Sequence, residues 1–366
     1  MGEKVLMKGN EALAEAAIRA GCRFFFGYPI TPQTELAAYM AKRMPREGGV
    51  YLQAESEVAA INMVYGASAA GARVMTSSSS PGISLKQEGI SYMIGADLPG
   101  LIVNVQRGGP GLGGIQPSQA DYWQATRAVG HGDGHIIVLA PSTVQEMADL
   151  AALAFDLGDR YRTPVMILAD GLLGQMMEPV ALPEPTDPAA LPAKPWALTG
   201  HHNERTHNIA NSLQLVAQNL EDTIIERWER YRAIEAAEQR AETYLTEDAE
   251  ILVVAYGAVA RIARSAINKA RGEGIKVGLI RPITLWPFPK AIIEASVATT
   301  KAYLVSEFSM GQMVDDVRLV VNGRAPVNFF SHTGGVVQTP EELFVALRRI
   351  ADGGQIDLVP FQSKLK

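Results

Sequence analysis

An α/β fold with parallel sheets covered on both faces is what this sequence predicts, and three observations carry it. Its apolar runs, such as LIVNVQ at 101–106 and PVMILA at 164–169, are nearly continuous instead of alternating with polar residues. Helix-spaced stretches separate one run from the next. Glycine and proline mark the joints.

Taken in order, residues 9–20 (GNEALAEAAIRA) predict a helix stopped by Gly21. RFFFG at 23–27 is a short buried strand, and YPITP at 28–32 a stiff turn, since proline fixes φ. Helical spacing returns over 33–43. A second strand, YLQ at 51–53, leads through Ala54, Glu55, Ser56 and Glu57 into a close-packed Ala/Gly-rich helix over 58–70. RVMTS at 73–77 is a third strand, followed by a turn at 78–82 and a helix through Tyr92. Strands four to six fall at 101–106, 136–140 and 164–169, with an amphipathic helix at 144–156 before the last. Proline density over 179–195 predicts an extended linker, and 204–245 reads as one or two long charged helices. A second α/β unit begins with ILVVAYG from 251, a helix over 259–271, and strands at 277–280, 302–306 and 327–330. No internal repeat is visible. The expected division is 1–190, 191–247 and 248–366: an α/β domain, a proline-rich linker with a helical arm, and a second α/β domain.

The chain has 366 residues, 47% hydrophobic and 20% charged, enough for two domains with separate cores. No apolar run reaches the roughly 18–20 residues of a membrane helix, and the N-terminus lacks a signal peptide's apolar segment. A cytoplasmic protein without membrane attachment is expected. A net charge of −6 and the lack of any Lys/Arg-rich run give no reason to expect nucleic acid. Cys22 is the only cysteine. Iron–sulfur clusters and structural zinc sites each take about four protein ligands, so this chain builds no iron–sulfur cluster and no internal disulfide.

GPGLGG at 109–114 satisfies G-x-G-x-x-G after a strand, which admits a nicotinamide-dependent dehydrogenase. The context speaks against it. Pro117 and polar residues follow where a dinucleotide fingerprint opens a helix, and the strand is the fourth, not the first. A glycine loop beside an active site is the competing reading. His131 and His135 lie across a Gly-rich turn with no third ligand nearby, so zinc is not expected. His201, His202 and His207 sit in a polar connection and read as solvated.

Four polar groups fall at predicted carboxyl ends of strands, where parallel sheets bind ligands. They are Thr31 between two prolines, Glu57, the serines at 77–80, and Arg107. Glu57 opens a tightly packed helix, so its carboxylate should be partly desolvated. Glu55 competes with it, and a carboxylate here could instead serve the helix N-terminus. Arg107 offers a guanidinium fork suited to a carboxylate. If these groups carry no chemistry, the chain is a non-catalytic assembly subunit.

GYPITPQTE, QAESEVAAINMVYGASAAGARVMTSSSSPGISL and VNVQRGGP resemble the pyrimidine-binding domain of the 2-oxoacid:ferredoxin oxidoreductases. AYGAVARIARSAI and KVGLIRPITLWPFP resemble the transketolase C-terminal-like domain that follows it. The likeness spans nearly the whole chain and is greatest with the alpha-type subunit of the 2-oxoisovalerate (branched-chain) and 2-oxoglutarate enzymes. It implies a thiamine-diphosphate-binding, pyrimidine-type parallel-sheet domain over 1–190 and a transketolase C-terminal-like α/β domain over 248–366. The implied activity is CoA-acylating oxidative decarboxylation of a 2-oxoacid to acyl-CoA, CO2 and reduced ferredoxin, in anaerobic metabolism. Whole-chain likeness points to branched-chain 2-oxoacids, with 2-oxoglutarate as the alternative.

By the same match, Glu57 hydrogen-bonds the aminopyrimidine ring nitrogen of thiamine diphosphate, with Pro29, Ile30 and Ser79 beside the cofactor. Thr31 contacts the substrate's carboxyl or keto oxygen, and Arg107 binds its carboxylate. The cofactor is shared: a beta subunit holds its diphosphate, Mg2+ and a [4Fe-4S] cluster. Gamma and ferredoxin-like delta subunits complete a hetero-oligomer that reduces ferredoxin, and CoA is co-substrate. GDG at 132–134 resembles the start of the diphosphate motif. It precedes a strand, however, and the stretch from Gly158 lacks the motif's Asn, which agrees with a diphosphate held elsewhere.

Overall fold

The computed structural model describes residues 4–358, and its backbone is organised around two mainly parallel sheets. The N-terminal half runs β1 (Lys4–Lys8), α1 (Gly9–Arg19), β2 (Phe24–Gly27), α2 (Thr34–Arg43), β3 (Val50–Gln53), α3 (Glu57–Ala69), β4 (Val74–Ser78) and α4 (Pro81–Gly95). It continues with β5 (Gly100–Gln106), α5 (Tyr122–Thr126), β6 (Ile137–Leu139), α6 (Val144–Tyr161), β7 (Pro164–Asp170), α7 (Gly171–Gln175) and β8 (Met177–Ala181). After a long connection come α8 (Ala217–Ala237), β9 (Ala241–Tyr244), β10 (Ile251–Val254), α9 (Gly257–Gly272), β11 (Val277–Pro282), β12 (Thr284–Trp286) and α10 (Lys290–Ser296). The chain ends through β13 (Ala302–Glu307), α11 (Met313–Val321), β14 (Val327–Ser331), α12 (Pro340–Ala351) and β15 (Asp357–Leu358).

The first sheet has the order β12-β6-β7-β5-β4-β2-β3, parallel except for the edge strand β12. The second has the order β15-β14-β13-β10-β11-β9, with β9 antiparallel at its edge. Side chains alternate across a strand. Thus Leu101, Val103 and Val105 of β5 join one apolar cluster with Val165 and Ile167 of β7, while Ile102, Met166 and Leu168 join the cluster on the opposite face. Both faces need apolar cover, which is why these runs do not alternate in sequence.

Strand order turns back at β2, with β3 on one side and β4 on the other. Leu36 and Met40 of α2 belong to one facial cluster, and Ile61 and Val64 of α3 to the other. Helices leaving on opposite faces open a crevice at the carboxyl ends of the strands between them. The candidate site lies there.

Two stretches depart from the sequence expectation. Only Ala217–Ala237 of the predicted charged helices is helical. In the segment before it, side chains take over the backbone's partners: Asn208 Nδ2 donates to Ala197 O at 2.9 Å, and Asn211 Oδ1 accepts from Leu213 N at 3.0 Å. Such local bonds compete with a helix. Residues 241–244 instead form β9, whose Tyr244 pairs with Leu279. The start of the proline-rich stretch is also structured. Pro179 sits in β8 opposite Leu6 of β1, in a two-stranded ribbon where a missing N–H is tolerated.

Helices α3 and α4 cross closely at Gly89, where a Cβ would lie 2.5 Å from Ile61 Cγ2. Gly89→Ala should therefore cost about 1–2 kcal/mol by overpacking, after the helix-propensity gain of about 1 kcal/mol is counted. Urea unfolding checks this, and unchanged stability would mean that the two helices separate freely.

Candidate active site at the strand ends

Ser56 Oγ accepts the Ala59 amide at 3.2 Å and so caps α3. Glu57 is the first helical residue and is not the cap. Its side chain is 6% exposed, and its carboxylate makes no hydrogen bond among the described residues. Glu55 is exposed. Although Glu57 follows β3, its carboxylate reaches across to the end of β4. A Cβ built on Gly82 would lie 2.7 Å from Glu57 Oε1 and 2.1 Å from Ser78 Oγ. The hydroxyls of Ser78 and Ser79 are buried and unpartnered among the described residues. A mostly buried carboxylate and two orphaned hydroxyls, around a position that only glycine fits, form a polar cradle.

Behind this cradle lies a residue that the sequence reading missed. Lys86 is wholly buried, donating to Thr76 Oγ1 at 2.5 Å and Ser77 O at 3.2 Å. Burial pulls its ammonium down to about 7, opposed by the charge of Glu57. A signal was available. Ile83, Lys86, Ile90 and Met93 are all buried on α4, and the 3-4-3 spacing put a lysine on the core stripe.

The second focus is Arg107. Its guanidinium donates from Nη1 to Thr31 O and from Nη2 to Leu112 O, both at 3.0 Å, and its buried Nε has no partner. Of five N–H donors, three therefore remain unpaired among the described residues. The Thr31 side chain is exposed, as is Pro29, while Ile30 is half-buried. Gln33 braces this turn: Nε2 donates to Tyr28 O at 3.2 Å, and Oε1 accepts from Ser77 Oγ at 2.6 Å.

The Ser77–Ser80 stretch joins the two foci. Ser80, with φ of +23°, is held in a strained conformation by three bonds. Its amide donates to Asn104 Oδ1 at 3.1 Å, its Oγ donates to Asp121 Oδ2 at 2.6 Å, and Oγ accepts from Arg107 N at 3.0 Å. Asn104 Nδ2 also donates to Asp121, at 2.9 Å. Burial pushes the Asp121 carboxyl up, and these two donors oppose the shift. Sequence reasoning missed Asp121, Asn104 and Gln33 because their partners are set by the fold.

Other motifs take structural parts. The loop at 108–116 closes on itself through Gly108 N to Gln116 O at 3.0 Å and opens no helix. At Gly113, with φ of +56°, a Cβ would fall 1.8 Å from Gly108 O. His135 stacks on Trp286 with ring centroids 4.7 Å apart, inside an aromatic cluster with Tyr231. Among the described residues, no group of three or more His, Cys, Asp or Glu is placed to hold a metal. Cys22 is buried with its thiol pushed up to about 12 by desolvation, a poor metal ligand. No described helix is long and apolar enough to cross a membrane.

Residues 15–246 match the family model described as pyruvate flavodoxin/ferredoxin oxidoreductase, thiamine diphosphate-binding. Residues 249–343 match that described as pyruvate:ferredoxin oxidoreductase core domain II. The ketoisovalerate oxidoreductase subunit VorB of Methanothermobacter marburgensis is 48% identical, over 94% of this chain and 97% of the relative. The 2-oxoglutarate synthase subunit KorA of Methanothermobacter thermautotrophicus is 38% identical, over 94% and 98%. Among solved structures, the 2-oxoglutarate:ferredoxin oxidoreductase from Magnetococcus marinus, with 2-oxoglutarate, coenzyme A and succinyl-CoA bound, superposes with a TM-score of 0.82 at 29% identity. The match covers 96% of this chain and 65% of that one. A split-gene transketolase shares the fold, with a TM-score of 0.60 at 15% identity.

Asp121→Ala should leave Asn104 Nδ2 without its acceptor and leave the Ser80 hydroxyl only the Arg107 carbonyl, 3.2 Å away. The expected cost is about 2 kcal/mol, the scale for unsatisfied buried polar groups, with faster limited proteolysis in 108–116. Wild-type denaturation and proteolysis would show that Asp121 does not hold the Arg107 loop.

Proposed function

Because the chain belongs to the 2-oxoacid:ferredoxin oxidoreductase family, we propose that it is the subunit that binds the aminopyrimidine half of thiamine diphosphate in a branched-chain enzyme. That enzyme converts a 2-oxoacid, CoA and two oxidised ferredoxin equivalents into acyl-CoA, CO2 and reduced ferredoxin. One observation carries the assignment of the site: the buried, unpartnered Glu57 carboxylate beside the orphaned Ser78 and Ser79 hydroxyls. This donor and acceptor set fits a flat heteroaromatic ring with polar edges, and Gly82 lets Glu57 and Ser78 come together. When bound, thiamine diphosphate supplies a carbon nucleophile for the 2-oxo carbon and a sink for the electrons left by CO2.

The chain's own groups divide the remaining work. Glu57 takes the ring-nitrogen hydrogen bond and shares its proton. Ser79, with the Pro29–Ile30 segment, flanks the ring. Thr31 presents an exposed hydroxyl to the substrate's carboxyl or keto oxygen. The unpaired donors of Arg107 take the substrate carboxylate, and the carbonyls of Thr31 and Leu112 hold its guanidinium in place. Higher identity to the ketoisovalerate subunit than to the 2-oxoglutarate subunits supports a branched-chain substrate. Leu112, 85% exposed on the loop that Arg107 clasps, suits an apolar substrate side chain better than a second carboxylate. The diphosphate with its Mg2+ and the [4Fe-4S] clusters belong to partner subunits, a reading supported by the single, desolvated thiol here.

Glu57→Gln in the assembled enzyme should lower kcat at least about 100-fold, the scale of a lost acid–base contribution, with assembly intact. Near-normal turnover would remove Glu57 from the mechanism. Arg107→Lys replaces a fork by a point charge. It should raise KM for 2-oxoisovalerate, 2-oxoglutarate and pyruvate alike. A rise confined to one of them would mean that Arg107 reads the side chain instead.

A further inference from the structure

Gln33 stands at the N-cap of α2, where a side chain ordinarily accepts one of the first helix amides. Its side chain makes no such bond. Wholly buried, it joins two segments of the site instead. Nε2 donates to Tyr28 O at 3.2 Å, and Oε1 accepts from Ser77 Oγ at 2.6 Å. The first partner belongs to the turn that presents Pro29, Ile30 and Thr31. The second, also wholly buried, directly precedes Ser78 and Ser79 in the chain. The turn has few donors with which to hold itself, since Pro29 and Pro32 carry no N–H. Asn10 and Gln175 reach Pro32 O, and Arg107 Nη1 reaches Thr31 O, but none of these three side chains bonds residues 77–79. Among the described residues, Gln33 is the one side chain hydrogen-bonded to both segments.

We propose that Gln33 is a positioning residue for the reaction: its buried amide bridges Tyr28 O and Ser77 Oγ, and so fixes the turn that carries Thr31 relative to the Ser78–Ser79 end of the cradle. This rests on the reading of Thr31 and the cradle given above. A substrate contact and a cofactor contact on separate loops are useful only if their spacing is held, because a misplacement of about 1 Å can cost about 100-fold in rate. A hydrogen bond shielded from water holds such a spacing better than an exposed one. Gln33 acts only through the two segments that it joins. Carboxyl and keto groups are common to all 2-oxoacids, so the bridge serves every such substrate alike.

Kinetics of the assembled enzyme test this with two variants and their combination. Ser77→Ala cuts the bridge and keeps the Gln33 bond to Tyr28 O. Gln33→Met keeps the length of the side chain and removes both bonds. Each should raise KM about tenfold, the scale of one lost hydrogen bond, by the same factor for 2-oxoisovalerate and 2-oxoglutarate, and should also lower kcat. The double variant should be no worse than Gln33→Met alone. Wild-type KM and kcat in Ser77→Ala, with Gln33→Met impaired, would overturn the proposal and leave Gln33 a prop for its own turn. Additive losses would overturn it too, since Ser77 and Gln33 would then act independently. So would a lowered melting temperature with unchanged kinetics. If Gln33→Met fails to assemble, Gln33→Asn, one carbon too short to span both partners, takes its place under the same criteria. Failure of the Thr31 reading is seen separately, as wild-type KM in Thr31→Ala.

Discussion

The strained Ser80, tied by its amide to Asn104 and by its hydroxyl to Asp121 and the Arg107 amide, is the constraint on which both halves of the site depend. A non-glycine residue in this region costs about 1–3 kcal/mol and persists only when its surroundings over-determine it. Here they do, with hydrogen bonds to Asn104, Asp121 and Arg107. The conformation turns the chain sharply from β4 into α4, leaves Ser78 and Ser79 at the crevice, and fixes where β5 delivers Arg107.

The far side of this knot is anchored on the second α/β unit. Gln119, two residues before Asp121, donates its amide to Phe308 O at 2.9 Å, while its side chain donates to Tyr256 O and accepts from Phe308 N, each at 3.0 Å. Tyr122 Oη donates to Asp316 at 2.6 Å. Glu307, buried, accepts three amides at the start of α11 and so stiffens the surface that receives Gln119. The C-terminal unit therefore bears on the site without lending it a reacting group: it fixes the segment that carries Asp121, which in turn fixes Ser80 and Arg107.

Electrostatics divides the crevice. At one end Lys86 is wholly buried and Glu57 nearly so, 6% exposed. Around Thr31, Leu112 and the glycine loop the surface is open, and Arg107 brings a positive charge to it. The open end suits a substrate that must enter and leave.

The sequence by itself determined the α/β class, nearly every strand of the first sheet, and the placing of Thr31, Glu57 and Arg107 at strand ends. Hydrophobic period and glycine–proline punctuation are local signals, and a parallel sheet gathers its strand ends on one edge. It could not decide between Glu57 as cap and Glu57 as free carboxylate, because that turned on whether Ser56 took the Ala59 amide. It misjudged 204–216 and 241–244, where side-chain bonds and a distant strand outcompeted helix propensity. Only the tertiary structure decided that Lys86 is buried against Thr76 and Ser77, that Asp121 knots Ser80 to Arg107, and that β12 crosses to the first sheet. Each of these depends on partners brought together from distant parts of the chain, and burial and pairing are properties of those partners.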